Sequence, residues 1–310
     1  MAEIHRVVRQ WLETDAAFGV TEVPLVLARS AAPAPPAPPA ARPMMPPAQF
    51  ATRHAVAARP SPSAPPPPST SASYERPDAV AKRKPILEMP PAPAGNIADL
   101  PPLTRQQKIT ALDKLSAEVE AASRPLLNDI ATRVVFGEGD PDAEILFIGE
   151  GPGIEEDKTG RPFVGRSGQL LDKMIAAMGF TREPGLHGTG GIFIANVVKL
   201  RCADPDDATG RLKDRPPTPE EAARGLPILH RQIEIIRPRA IVTLGAPAIK
   251  WLTGTTEGVM KIRGTWFEHR GIPVMPTYHP SFVLRAYTEE NRRKVWNDLQ
   301  AALAKIGRGK

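Results

Sequence analysis

The stretch Glu144-Ile145-Leu146-Phe147-Ile148-Gly149-Glu150-Gly151-Pro152-Gly153 decides the fold. Four apolar residues run straight into a glycine-rich turn that carries one carboxylate, which reads as a buried strand feeding a loop. Further along, Ile272 to Thr277 forms a second apolar run and leads into Tyr278-His279-Pro280-Ser281. A carboxylate and an imidazole therefore stand at two strand ends. In open α/β sheets ligands bind outside the carboxyl ends of the strands, so the two loops are expected to meet in one crevice.

Working outward, two more apolar runs rich in Ile and Val, Ala143 to Gly149 aside, read as strands: Ile192 to Val198 and Ala240 to Gly245. Helical patterns fill the intervals. Gly168 to Met178 places Leu170, Leu171, Met174, Ile175 and Met178 on one face. Thr218-Pro219-Glu220-Glu221 combines an N-cap, a proline at the first helical position and a capping-box glutamate, and opens a helix to about Ile236. A last helix starts near Thr288 and carries Val295, Leu299, Ala302, Leu303 and Ile306. Alternation of strand and helix predicts a three-layer α/β/α sandwich with a central four-stranded parallel sheet.

That domain is expected over 103–310. Of the 37 prolines in 310 residues, more than half precede Leu103. A Pro/Ala/Ser stretch over 30–102 lacks the apolar side chains that would offset the entropy of ordering, so it is expected to be a disordered linker. Residues 1–29 hold a short amphipathic segment with Ile4, Val7, Val8, Trp11 and Leu12, expected to dock on the domain or on a protein partner. No apolar run is long enough to span a bilayer, which leads to the expectation of a soluble, cytoplasmic monomer. The net charge of +6 suits a polyanionic partner. One cysteine, Cys202, excludes an intrachain disulfide.

Four loops could carry chemistry. Gly149 to Gly153 lets backbone approach a ligand, and Glu155, Glu156 and Asp157 follow Glu150 closely enough to raise one another's pKa if buried. Gly160 to Gly168 holds two arginines, three glycines and Phe163 ahead of a helix start, a setting suited to phosphate. Asn196 offers donor and acceptor together, although a structural asparagine is the ordinary case. The run His279 to Arg285 sets an imidazole, a hydroxyl, apolar side chains and an arginine side by side, as a wedge into stacked bases would need. Ordinary packing of Phe282 and Leu284 under the last helix is the alternative. Lys199 and Lys261 read as solvated lysines, and His230 and His269 as surface residues.

In order, Val135-Phe136-Gly137-Glu138-Gly139, Gly149 to Gly153, Glu156-Asp157, Gly160 to Gly168, Asn196-Val197-Val198-Lys199, Leu244-Gly245 and His279 to Arg285 resemble the motifs of the uracil-DNA glycosylase superfamily, most closely its bacterial and archaeal family four branch. The resemblance spans about Val134 to Ile306. It implies monofunctional hydrolysis of the bond between uracil and deoxyribose in DNA, leaving an abasic site, after extrusion of the base from the stack. On this resemblance Glu150 and His279 are the catalytic pair. Phe163, Asn196, Glu156 and Gly151 would bind uracil, with Phe163 stacking, Asn196 reading the pyrimidine edge and Glu156 crowding carbon five. Gly168, Ser281, Phe282, Leu284 and Arg285 would contact DNA.

Family four members hold a four-iron, four-sulfur cluster on four cysteines. Here the third and fourth positions match Leu200 and Gly225, the first pair near Ala121 to Pro125 is missing, and Cys202 stands alone. The expectation is therefore no cofactor and no metal, with apolar packing by Leu200 and Leu226 in place of the cluster. Asp204, Asp206 and Asp207 bring negative charge near the expected DNA path. The alternative reading is a non-catalytic module of the same fold that binds uracil or single-stranded DNA.

Overall fold

The computed structural model describes residues 95–182, 191–206 and 208–309. The expected segment 1–29, and the linker up to residue 94, lie outside the described residues. Residues 95–102, assigned above to the linker, belong instead to the folded body. Ile97 is buried in the core, and its N–H donates to the Arg270 carbonyl at 3.0 Å.

Helix α1 (Arg105–Ser123) opens with a capping box in which Thr104 and Gln107 satisfy one another's backbone donors. Strand β1 (Glu138–Gly139) is followed by β2 (Ile145–Gly149), α2 (Ile154–Thr159) and α3 (Arg166–Ala177). Next come β3 (Ile192–Asn196), the short strands β4 (Ala203–Pro205) and β5 (Leu212–Asp214), and α4 (Pro219–Ile236). Then follow β6 (Ala240–Leu244), α5 (Ala246–Thr253), α6 (Val259–Ile262), β7 (Phe267–His269) and β8 (Ile272–Thr277). The chain finishes with α7 (Pro280–Arg285) and α8 (Glu289–Lys305).

The sheet order is β1-β3-β2-β6-β8-β7. Its centre, β3-β2-β6-β8, is parallel throughout, as the sequence leads one to expect. The outer strands β1 and β7 add antiparallel edges, making six strands rather than four. β4 and β5 form a separate two-stranded ribbon.

Every residue of β2, β3 and β6 is buried, so the alternation of side chains assigns two cores. Leu146, Ile148, Phe193, Ala195 and Ile241 face α1, α4 and α5, meeting Leu115, Ile228, Ile233 and Ile249. Ile145, Phe147, Ile192, Ile194, Ala240 and Val242 face α3 and α8, meeting Leu171, Met174, Leu299 and Ala302. A strand buried on both faces cannot slip by one residue without exchanging these sets, so the register is fixed. Gly149 thereby lies opposite Asn196.

From β2 the chain crosses to β3 on one side and later to β6 and β8 on the other. This reversal of direction opens a crevice at the carboxyl ends of the central strands.

Candidate active site

The crevice is a cavity of about 700 Å³ whose walls include Glu150, Gly151, Phe163, Asn196, His279, Ser281, Leu284 and Arg285. Glu156, Arg166, Ser167, Asp214 and Arg215 complete much of the rim. Most residues selected from the sequence are thus brought together. Gly168 and Phe282 are not among them.

Glu150 follows β2 directly, and its Oε1 is buried with no hydrogen-bond partner among the described residues. Burial alone pushes its carboxyl above the ordinary carboxylate range. The other acids of the loop are spent on structure. Glu156 accepts from the N–H groups of Gly153 (3.1 Å), Val164 (2.8 Å) and Gly165 (2.9 Å), tying the start of α2 to the loop before α3. Asp157 accepts from the Thr132 N–H and hydroxyl at 2.8 Å each and from the Arg133 N–H at 3.1 Å. Glu155 pairs with Lys158. Glu156, expected to crowd carbon five, braces two loops against one another.

Asn196 ends β3 and is 1 % exposed, and its Oδ1 has no partner among the described residues. Gly149 makes room for it. A Cβ on Gly149 would lie 2.3 Å from Asn196 Oδ1 and 2.5 Å from Phe163 Cζ, so this glycine lets the amide and the ring pack over the strand end. Gly151 has a looser need, since a Cβ there would meet Val198 Cγ2 at 2.7 Å.

Phe163 adopts φ 51°, a left-handed conformation that L-residues with bulky side chains rarely take. Several contacts hold it. The Arg182 guanidinium donates to the carbonyls of Pro162 (2.7 Å) and Phe163 (2.9 Å) and is itself anchored by Glu138 (2.9 Å) and Asp172 (2.6 Å). Gly168 is buried beneath this turn, where a Cβ would fall 1.9 Å from the Phe163 carbonyl oxygen. Gly168, expected to touch DNA, is thus a packing residue. Arg182 is absent from the sequence-based site because only the fold brings it to Phe163.

His279 caps α7 and accepts at Nδ1 from the Ser281 N–H (3.1 Å), with Ser281 Oγ also 2.8 Å away. An accepting Nδ1 leaves the proton of the neutral ring on Nε2. Burial, and secondarily Arg285, lower its pKa to about 4, so the ring is neutral at physiological pH. Its ring lies 5.6 Å from that of Phe163, tilted by 32°. Gly245, at φ 90°, allows close approach, with a Cβ there falling 3.2 Å from the His279 Cβ. Behind the loop, Thr277 Oγ1 donates to Asp298 at 2.6 Å, and Arg263 binds the same carboxylate.

The expected wedge divides in two. Leu284 and Arg285 line the cavity, whereas Phe282 packs on Tyr278 with ring centroids 4.8 Å apart and planes tilted by 52°, against the core on the α3 and α8 face. The acidic loop, expected near DNA, has part of its charge paired. Arg201 pairs with Asp214 at 2.7 Å, and Arg215 bridges Asp204 (3.1 Å) and Glu221 (2.7 Å). Asp206 caps its own turn through Thr209, and Asp207 lies outside the described residues. Lys199, read from sequence as solvated, is fully buried. Lys261 is exposed and pairs with Glu257. His230 and His269 stack at 5.2 Å and are depressed in pKa mainly by burial, so neither is a freely solvated surface group.

The Uracil DNA glycosylase superfamily model matches residues 136–300. A type-4 uracil-DNA glycosylase of Thermotoga maritima is 45% identical over 173 residues, covering 55% of this chain and 82% of that protein. A type-4 uracil-DNA glycosylase of Archaeoglobus fulgidus is 33% identical, over 61% of this chain and 90% of its own. A type-5 uracil-DNA glycosylase of Pyrobaculum aerophilum is 32% identical, over 46% and 63%.

These comparisons overturn the expectation of a protein without a cofactor. The type-4 relatives belong to the branch that carries an iron–sulfur cluster, and such a group is what kinship with them implies. The residues present do not fit it. Cys202 is buried, and its thiol is pushed well above the ordinary range by burial and by Glu221, the opposite of a ready thiolate. A Cβ at Gly225 would lie 2.1 Å from the Val197 carbonyl oxygen, which leaves no room for a ligand side chain. Among the described residues no group of three or more His, Cys, Asp or Glu is placed to hold a metal. Leu200 and Leu226 pack against the core there.

The order of the motifs along one parallel sheet, the extent of the family match and the identity to type-4 relatives agree: this chain belongs to the uracil-DNA glycosylase superfamily, alongside its type-4 branch.

Proposed function

We infer that this protein is a monofunctional uracil-DNA glycosylase, a base-excision repair enzyme that hydrolyses the N-glycosidic bond of deoxyuridine in DNA and leaves an abasic site. One observation carries the reading. Two buried polar atoms without hydrogen-bond partners among the described residues, Glu150 Oε1 and Asn196 Oδ1, belong to residues of the same cavity wall as a neutral imidazole. Leaving such atoms unpaired costs about 1–3 kcal/mol each, which a bound substrate would recover.

Uracil presents N3–H as a donor flanked by O2 and O4. Asn196 Oδ1 would accept from N3, and its amide N–H would donate to O4. Cytosine inverts both contacts and would leave the buried amide mispaired. The Phe163 ring, fixed by Arg182 and Gly168, would stack on the base, a contact worth ~1–3 kcal/mol.

As the glycosidic bond lengthens, the sugar gains oxocarbenium character and the electron pair of the bond passes to uracil. His279 Nε2–H would donate to O2, where negative charge develops. A neutral donor suits this task because it stabilises the anion without first giving up a proton. Glu150 would accept a proton from the attacking water and stabilise the cationic sugar, and water then adds at C1′. Leu284 and Arg285, at the cavity mouth, would fill the space left by the extruded base and hold a phosphate, respectively. Among the described residues that line the cavity there is no lysine for a Schiff base, which supports hydrolysis without strand cleavage.

The test is incubation of the full chain with a labelled oligonucleotide that holds one deoxyuridine, followed by gel analysis with and without alkali. Cleavage that appears only after alkali is the expected result. Strand breaks without alkali would overturn the monofunctional assignment. Tight binding of the uracil oligonucleotide with no release of base would instead favour a non-catalytic binding module.

A further inference from the structure

Strand β1 begins against β3 at the pair Glu138 and Ile194. Continuing that register by two residues brings Phe136 opposite Asn196, but Gly137, at φ 127°, turns the chain and breaks the ladder there. The Asn196 backbone is held on its other side, where the next N–H, that of Val197, donates to the Gly149 carbonyl at 3.0 Å. On the β1 side a pair of side chains stands in for the missing ladder. Lys199 Nζ donates to the Asn196 carbonyl at 2.8 Å and to Gln232 Oε1 at 2.7 Å, and Gln232 Nε2 donates to the Phe136 carbonyl at 2.9 Å.

This arrangement is costly. Lys199 is 1 % exposed, and among the described residues its ammonium donates to two neutral oxygens rather than to a carboxylate. Burial lowers its pKa to about 7, which measures how poorly the site tolerates the ammonium. Leu or Met would fill the space without that penalty. What an apolar side chain could not do is hold the Asn196 carbonyl, and with it the direction in which the Asn196 amide leaves the backbone.

We propose that Lys199, braced by Gln232 against Phe136, is a positioning residue that sets the angle of Asn196 for pyrimidine recognition. The proposal rests on the reading of Asn196 given under the proposed function. A site residue displaced by about 1 Å can lose about 100-fold in rate, so a bond on the carbonyl of the recognition residue has leverage on specificity.

A double-mutant cycle in the full chain tests this, read both as single-turnover release of uracil and as affinity for a uracil oligonucleotide over its cytosine counterpart. Lys199→Met keeps the stem and removes the donor. It should lower the uracil rate and the uracil-over-cytosine preference by about tenfold in the parent chain, and by less than about twofold when Asn196 is already Ala, because the coupling is then gone. Equal losses in both backgrounds, or no loss in the parent, would overturn the proposal and leave Lys199 a residue of general stability. If Lys199→Met does not fold, Gln232→Leu, which removes the brace and keeps the lysine, runs the same cycle with the same criteria. If the parent chain binds uracil oligonucleotides without releasing base, hydrolysis is refuted while the cycle on affinity still decides the role of Lys199. If it shows no preference for uracil at all, both readings fail together.

Discussion

Glu150→Gln should slow uracil release by about 10²–10⁴-fold, the range for loss of a positioned general base, and should also raise the melting temperature. The stability half follows from linkage. Burial raises the folded-state pKa of Glu150 above its unfolded value, so between the two values the folded chain binds more protons. Stability from this group is therefore present at low pH and lost as pH rises through that window. Gln carries no such loss, and calorimetry from acid to neutral pH should find the variant's advantage growing as pH rises. A variant less stable than the parent at neutral pH would contradict the burial of the Glu150 carboxyl. His279 behaves differently. With its pKa near 4 it stays neutral as Glu150 titrates, so the acid limb of the rate profile should follow Glu150. His279→Ala should lower the single-turnover rate by about 10²–10³-fold, as loss of one oxyanion donor does. Rates within a few-fold of the parent would remove His279 from the reaction.

At the scale of elements, the loop from Arg161 to the start of α3 decides where Phe163 sits, and Gly168 is its tightest constraint. Gly168→Ala would drive a methyl group into the Phe163 backbone. Overpacking of this kind costs about 1–3 kcal/mol, and here the strain also displaces the stacking ring. The expected outcome is a lower melting temperature together with a raised KM for uracil DNA. Weakened DNA binding with an unchanged melting temperature would restore Gly168 as a DNA contact. The sequence could not separate these roles, because a glycine in the first turn of a helix suits phosphate contact and close packing equally well. The four central strands were legible from their apolar runs, and α4 from Thr218, Pro219 and Glu221. Strands β1 and β7 were not, since two or three residues carry no periodicity and their pairing depends on a neighbour far away in the chain. Helix α1 escaped for a related reason: its face is mostly polar, and only Leu112, Leu115 and Val119 mark the buried side.

Across the whole molecule, what the sequence conceals is long-range. The cavity joins the ends of β2, β3 and β8, and the motifs at those ends were readable because each is local. Arg182 on Phe163, Gln232 on Lys199 and Asp298 behind Thr277 were not, because each contact joins elements that only the fold brings together. The amino-terminal boundary belongs to the same class. Proline density alone put residues 95–102 in the linker, yet they are sewn to the body by polar contacts from distant residues. Arg270 Nε donates to the Gly95 carbonyl at 2.9 Å, and Arg237 Nη1 donates to the Leu100 carbonyl at 3.1 Å. Ile97 is 3 % exposed among the residues that pack on α1 and β8. Replacing it by Ala in the full chain removes three carbons from a packed core, a change that costs about 2–5 kcal/mol. For a body of this size each kcal/mol lowers the melting temperature by roughly 2–4 °C, so a drop of roughly 4–20 °C is expected by calorimetry. Uracil release per folded molecule at 25 °C should stay unchanged, because Ile97 lies on the face opposite α3 and lines no part of the cavity. An unshifted melting temperature would return residues 95–102 to the linker and move the start of the folded body back toward Leu103.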